Sequence, residues 1–108
     1  METIGIFEAD NLAAGGFPEV RDIRIIPAAT AIKRGDILGA DFKPIKDEGT
    51  VDSIALQNLD ASSTVRTIVV AESGIFNANE LGTGDTTTAM DWKQDLRKLS
   101  IYVRQPAP

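Results

Sequence analysis

Apolar and polar positions alternate over short stretches of this chain rather than in long runs, the pattern of strands half-buried in a sheet. From Val20 the alternation sets Val20, Asp22 and Arg24 on one face and Arg21, Ile23 and Ile25 on the other, and Pro27 ends it. Lys33-Arg34-Gly35-Asp36 reads as a tight turn in which Gly35 takes positive φ, after which Ile37-Leu38 resumes the sheet. Beyond the polar connection from Pro44 to Thr50, Val51 to Leu56 opposes Val51, Ser53 and Ala55 to Asp52, Ile54 and Leu56. A turn over residues 58–63 leads into Thr64–Ala71, whose second half, Ile68-Val69-Val70-Ala71, is apolar on both faces. Such a strand is expected at the centre of the fold, covered on both sides.

The last third carries one helical pattern. Ala89, Trp92, Leu96 and Leu99 recur at +3, +4 and +3 and so fall on one stripe of a 3.6-residue period. Thr88 with Asp91 forms an Asp-containing capping box at its start, and Arg97 and Lys98 sit where the helix dipole favours cations. Ile101-Tyr102-Val103 is strand-like, and Gln105-Pro106-Ala107-Pro108 cannot continue a central strand.

Residues 1–20 differ from the remainder. They are rich in Gly, Ala, Asn and acidic residues, and Gly15-Gly16-Phe17-Pro18 breaks either kind of regular element. Thr3-Ile4-Gly5-Ile6-Phe7 has strand-type residues around one glycine and suits an extended conformation. The expectation is a mainly β (α+β) protein: an N-terminal arm over 1–20 and a small, compact β-rich domain over 21–108 with one C-terminal helix. Its predicted core contains Ile54, Leu56, Ile68, Val70, Phe76, Trp92, Leu96 and Leu99.

Composition narrows the chemistry. At 108 residues the chain is expected to be one domain, and 43% hydrophobic with 25% charged residues suits a globular protein. The chain contains no Cys and no His. Disulfides, thiolate nucleophiles, Cys-based metal sites, the Ser-His-Asp triad and the HExxH helix are therefore excluded. A formal charge of −5, with basic residues adjacent only at Lys33-Arg34 and Arg97-Lys98, argues against a nucleic-acid partner. The longest apolar stretch is Ile68 to Ala71, far short of a membrane span, and the N-terminus lacks the basic and apolar parts of a secretory signal.

The remaining motifs read as structure. Arg34-Gly35-Asp36 matches an adhesion tripeptide but suits an ordinary turn. The run from Gly82 to Thr88 lacks the Lys of a phosphate loop and carries Asp85 where phosphate would be repelled, so it is expected to be a loop ending in a helix cap. The carboxylate pairs Asp47-Glu48, Glu8 with Asp10, and Asp91 with Asp95 fit a solvated acidic surface better than a glycosidase pair. Asp41 to Glu48 lacks the alternating ligands of a calcium loop. No cofactor and no metal is expected, and a binding or structural role is favoured over catalysis.

The order of segments resembles one known family. Lys33 to Gly39, Val51 to Ala55, Gly74-Ile75-Phe76-Asn77 with Leu81, Asp91-Trp92-Lys93 through Leu96-Arg97, and Ile101-Tyr102-Val103-Arg104 follow one another as in the bacteriophage lambda-like head decoration proteins. The likeness spans roughly residues 20–104 and rests on order and spacing as much as on identity. It departs at Ser53, where many relatives have Gly, and in an arm that is not Ser/Thr/Pro-rich. The resemblance implies a β-rich barrel or tulip-like domain and a homotrimer bound to the major capsid protein on the outer surface of the expanded head. Such a virion protein is made in the bacterial cytoplasm and braces the shell against DNA pressure, with no direct contact to nucleic acid or membrane. It also implies that the arm adds a strand to the capsid, for which Thr3, Ile4, Gly5, Ile6 and Phe7 are the candidate residues. The alternative is a free-standing β-barrel module that binds carbohydrate or peptide.

Overall fold

The computed structural model describes Leu12 and residues 19–105. Among the described residues the strands and helix are β1 (Arg21–Ile26), β2 (Ile37–Gly39), β3 (Val51–Ala55), β4 (Arg66–Ala71), β5 (Gly74–Asn77), α1 (Lys93–Arg97) and β6 (Ile101–Arg104). Single 3₁₀ turns at Ala78–Glu80 and Ala89–Trp92 lie between β5 and α1.

β1 to β4 form an antiparallel sheet in the order β1-β4-β3-β2, while β5 and β6 pair in parallel as a separate ribbon. A bulge between Leu38 and Gly39 shifts the β2–β3 register. The strand-rich class with a C-terminal helix is as expected. The barrel is not closed, because β1 and β2 remain as the two edges of an open sheet.

Period-two alternation sends neighbouring residues into two cores. Ile37, Ile54 and Ala71 point to the larger one, where Leu56, Phe76, Leu96, Ile101 and Val103 also lie. Leu38, Ala55, Ile68 and Val70 point the other way and meet Ile26 and Ile32, with Phe42 and Leu59 closing the margin. β4 therefore occupies the inside of the sheet with apolar cover on both faces, as its sequence predicts. Each fully buried aliphatic or aromatic side chain contributes about 1.5–3 kcal/mol, so two cores matter in a chain of this length.

Among the predicted core residues, Ile54, Leu56, Phe76, Trp92 and Leu96 lie in the larger core and Ile68 and Val70 in the smaller. Leu99 does not: it is 39% exposed. The predicted helix is shorter than its stripe, with a 3₁₀ turn over Ala89–Trp92 and α-helix only from Lys93 to Arg97. The chain then tightens, Leu99 N–H bonding Leu96 O at 2.9 Å and Ser100 N–H bonding Arg97 O at 3.0 Å. Ser100 at φ 65° turns the chain into β6. Leu99 follows the last α-helical turn, so the 3.6-residue period no longer governs where it points.

Two features were not foreseen. β5 has four residues and follows β4 after only Glu72-Ser73, too short a stretch for alternation to reveal. Leu12 lies within the segment set apart as the arm, yet it is only 1% exposed and packs in the larger core. Its carbonyl accepts the Asn77 N–H at 2.9 Å. Ser53, the departure from the family pattern, is fully buried, and its hydroxyl donates to Asp52 Oδ2 at 2.8 Å.

Leu12→Ala is expected to cost about 2–5 kcal/mol by cavity formation, and Leu99→Ala no more than about 0.5 kcal/mol. Urea unfolding of the two variants beside the parent protein measures both.

Candidate interaction surface

The residues proposed for the arm, Thr3, Ile4, Gly5, Ile6 and Phe7, lie outside the described residues.

The adhesion-like tripeptide is built into the fold. Gly35 has φ +97°, and a Cβ there would sit 2.3 Å from the Glu80 carbonyl oxygen, so only glycine fits. Arg34 donates through Nη1 to Leu56 O at 2.7 Å, and its backbone N–H donates to Asn58 Oδ1 at 2.8 Å. Asp36 accepts the Lys33 N–H at 2.9 Å. Burial pushes its carboxyl above the ordinary range, against the opposing pull of Lys33. These groups hold a turn closed rather than present it to a receptor.

The loop from Gly82 to Thr88 ends as expected in a cap. Asp91 Oδ2 accepts the Thr88 backbone N–H at 2.7 Å and its hydroxyl at 3.2 Å. Asp85 ties this loop to the neighbouring one by accepting from Asp47 N at 2.7 Å, Thr87 N at 3.0 Å and Thr87 Oγ1 at 2.5 Å. Asp47, Asp85, Asp91 and Trp92 line one hollow of about 560 Å³. Both Asp85 and Asp91 accept backbone and hydroxyl hydrogens there, and the bonds from Thr87 and Asp47 hold Asp85 below its ordinary pKa. Asp85 and Asp91 thus serve as capping acceptors, and the lowered Asp85 is the opposite of the raised carboxyl that general-acid chemistry needs. Among the described residues no group of three or more His, Cys, Asp or Glu is arranged to hold a metal ion.

β1 carries the features that sequence alternation alone did not interpret. Arg24 is only 14% exposed and holds three carboxylates: Asp52 at 2.8 Å, Glu72 at 2.5 Å and Asp22 at 3.3 Å. Its guanidinium lies 5.8 Å from the centroid of Phe42, a residue held at φ 61°. Burial disfavours the Arg24 charge, but hydrogen bonds and charge from Glu72 and Asp52 outweigh it and raise its pKa. Asp22 is lowered, first by the Ile23 N–H and then by Arg24, against desolvation.

The same two side chains block the edge of the sheet. Val69 directs its carbonyl to Leu56 N at 3.0 Å and its N–H to Gln57 Oε1 at 2.9 Å. Ile23, opposite Val69 in the register, therefore turns its main chain outward. There its N–H donates to Asp22 Oδ1 at 2.8 Å, and its carbonyl accepts from Arg24 Nη1 at 3.2 Å. An edge so occupied resists the addition of another strand. The side chains of Ile23 and Ile25 stay exposed.

No family model matches the chain, and no curated protein matches it either.

Arg24→Met is expected to destabilise the protein by about 1–3 kcal/mol at neutral pH, because the carboxylates around it lose their counter-charge. The folded pKa of Asp22 is depressed, so its stabilising share is present above the ordinary carboxylate pKa and lost as pH falls through the lowered value. The variant keeps the Ile23 N–H bond, the largest cause of that lowering, and loses only the part due to Arg24. The gap between parent and variant should therefore narrow in part from pH 7 to about pH 3, as urea unfolding across a pH series would record.

Proposed function

We propose that this chain is a capsid decoration protein. It binds as a trimer to the outside of an expanded phage head, at three-fold and quasi-three-fold positions, and clamps neighbouring major capsid subunits together. The carrying observation is that the segments of the family resemblance are spatial partners. Gly74–Asn77 pairs in register with Ile101–Arg104 as β5 and β6, and Leu96 lies in the same core as Phe76. Likewise Ile37 of the first segment faces Ile54 of the second across β2 and β3.

The physics of such a role matches the residues available. Strand addition uses main-chain hydrogen bonds and makes few demands on sequence, which Thr3 to Phe7 satisfy. Three copies about one axis bind with avidity, since one docked arm raises the effective concentration of the other two. Binding the expanded shell alone stabilises that state by linkage. A carbohydrate module would instead present aromatic platforms. Here Phe76 and Trp92 are buried in the larger core, and Phe42 lies beneath Arg24.

Deleting residues 1–11 spares Leu12 and should leave a protein that unfolds with near-parental stability but no longer co-sediments with expanded heads. The heads for this test are expanded shells assembled from the major capsid protein of the genome that encodes this chain. Undiminished co-sedimentation would overturn the arm mechanism, and failure of the full chain to bind would overturn the decoration reading.

A further inference from the structure

Six large hydrophobic side chains are exposed among the described residues, and three of them, Ile23, Ile25 and Val65, share one face of the β1–β4 ribbon. Ile23 is 58% exposed, Ile25 59% and Val65 59%. Ile23 and Ile25 share a face of β1, and their register partners Val69 and Thr67 place Val65 on that same face of the ribbon by the two-residue period. At one end of this row Arg21 Nε bonds Glu19 Oε2 at 2.7 Å. A second feature lies beside α1, where Val51 and Leu99 flank a hollow of about 280 Å³. A cavity of about 150 Å³ takes one benzene-sized group, so this one has room for about two branched aliphatic side chains. Its rim carries Asp95 and Lys98, which lie 4.0 Å apart.

We infer that the row and the hollow are the two halves of a head-to-tail contact between copies of this chain. The inference rests on the trimeric reading above and names its contact faces. Ile23 and Ile25 of one copy fill the hollow at Val51 and Leu99 of the next. The rim charges complement one another in order: Arg21 meets Asp95, and Glu19 meets Lys98. Each rim has one cation and one anion, so neither rim adds net charge to the contact. The blocked main chain at Ile23 directs the contact to the side chains of the face rather than to a sheet continued across the edge. Because the two faces differ, the contact is heterologous and closes into a ring when its rotation returns to the start.

Sedimentation velocity over a range of concentrations tests the contact. The parent protein should form an oligomer. Ile23→Thr with Ile25→Thr, both β-branched changes at exposed sites, should leave the melting temperature near the parental value and weaken association by about tenfold or more. Arg21→Glu and Asp95→Arg should each weaken it several-fold, and the two together should restore it. A parent protein that stays monomeric throughout overturns the inference. So does an oligomer indifferent to all of these changes, or a charge-swapped pair no better than either single variant. Binding to heads is scored separately: a monomer that still binds overturns only the contact, and an oligomer that does not bind overturns only the decoration reading.

Discussion

The architecture depends on a sheet that must be covered on both faces by a chain of 108 residues. Adjacent residues in β2, β3 and β4 point into different cores, as Ile37 and Leu38 or Ile54 and Ala55 do. One layer is supplied by β5, β6 and α1 and the other by loops that bring Ile32, Phe42 and Leu59. A slip of one residue in the β3–β4 pairing would exchange the two cores and mismatch both in volume. Register is therefore set by packing on both sides at once.

The charged residues serve this arrangement more than any chemistry. Arg24 gathers carboxylates from β1, β3 and the β4–β5 turn at the point where the smaller core ends. Asp85 and Asp91 satisfy backbone donors in loops that have no sheet partner. These acidic groups are placed where main-chain N–H groups would otherwise lack acceptors, and the acidic composition of the chain reflects that use in part.

Strands with clear alternation or a doubly apolar run were legible in the sequence, and β3 and β4 lie where the pattern put them. So was the turn at Gly35, whose φ of +97° matches the glycine requirement. The helical stripe was legible only up to Leu96, because a change from 3₁₀ to α and back alters the period without altering the residue types. On β1, the alternation separated the two faces but did not say which was inside. Asp22 and Arg24 share the smaller-core face with Ile26, while Ile23 and Ile25 lie on the larger-core face beyond its cover and stay exposed, which hydrophobicity alone does not suggest. Nothing local marks Leu12 as a core residue, since its partners Phe76 and Gly35 are distant in sequence.

The burial of Leu12 also determines how the molecule bears force. Among the described residues, tension applied at the N-terminus first meets Leu12, which is seated among close-packed side chains and bonded through its carbonyl to Asn77. Asn77 is the last residue of β5, which lies in register with β6, so the load passes into that ribbon before it reaches β1. The seat of Leu12 is also lined by Ile37, Ile54 and Ala71 of the antiparallel sheet, so a load entering there is shared between the ribbon and that sheet.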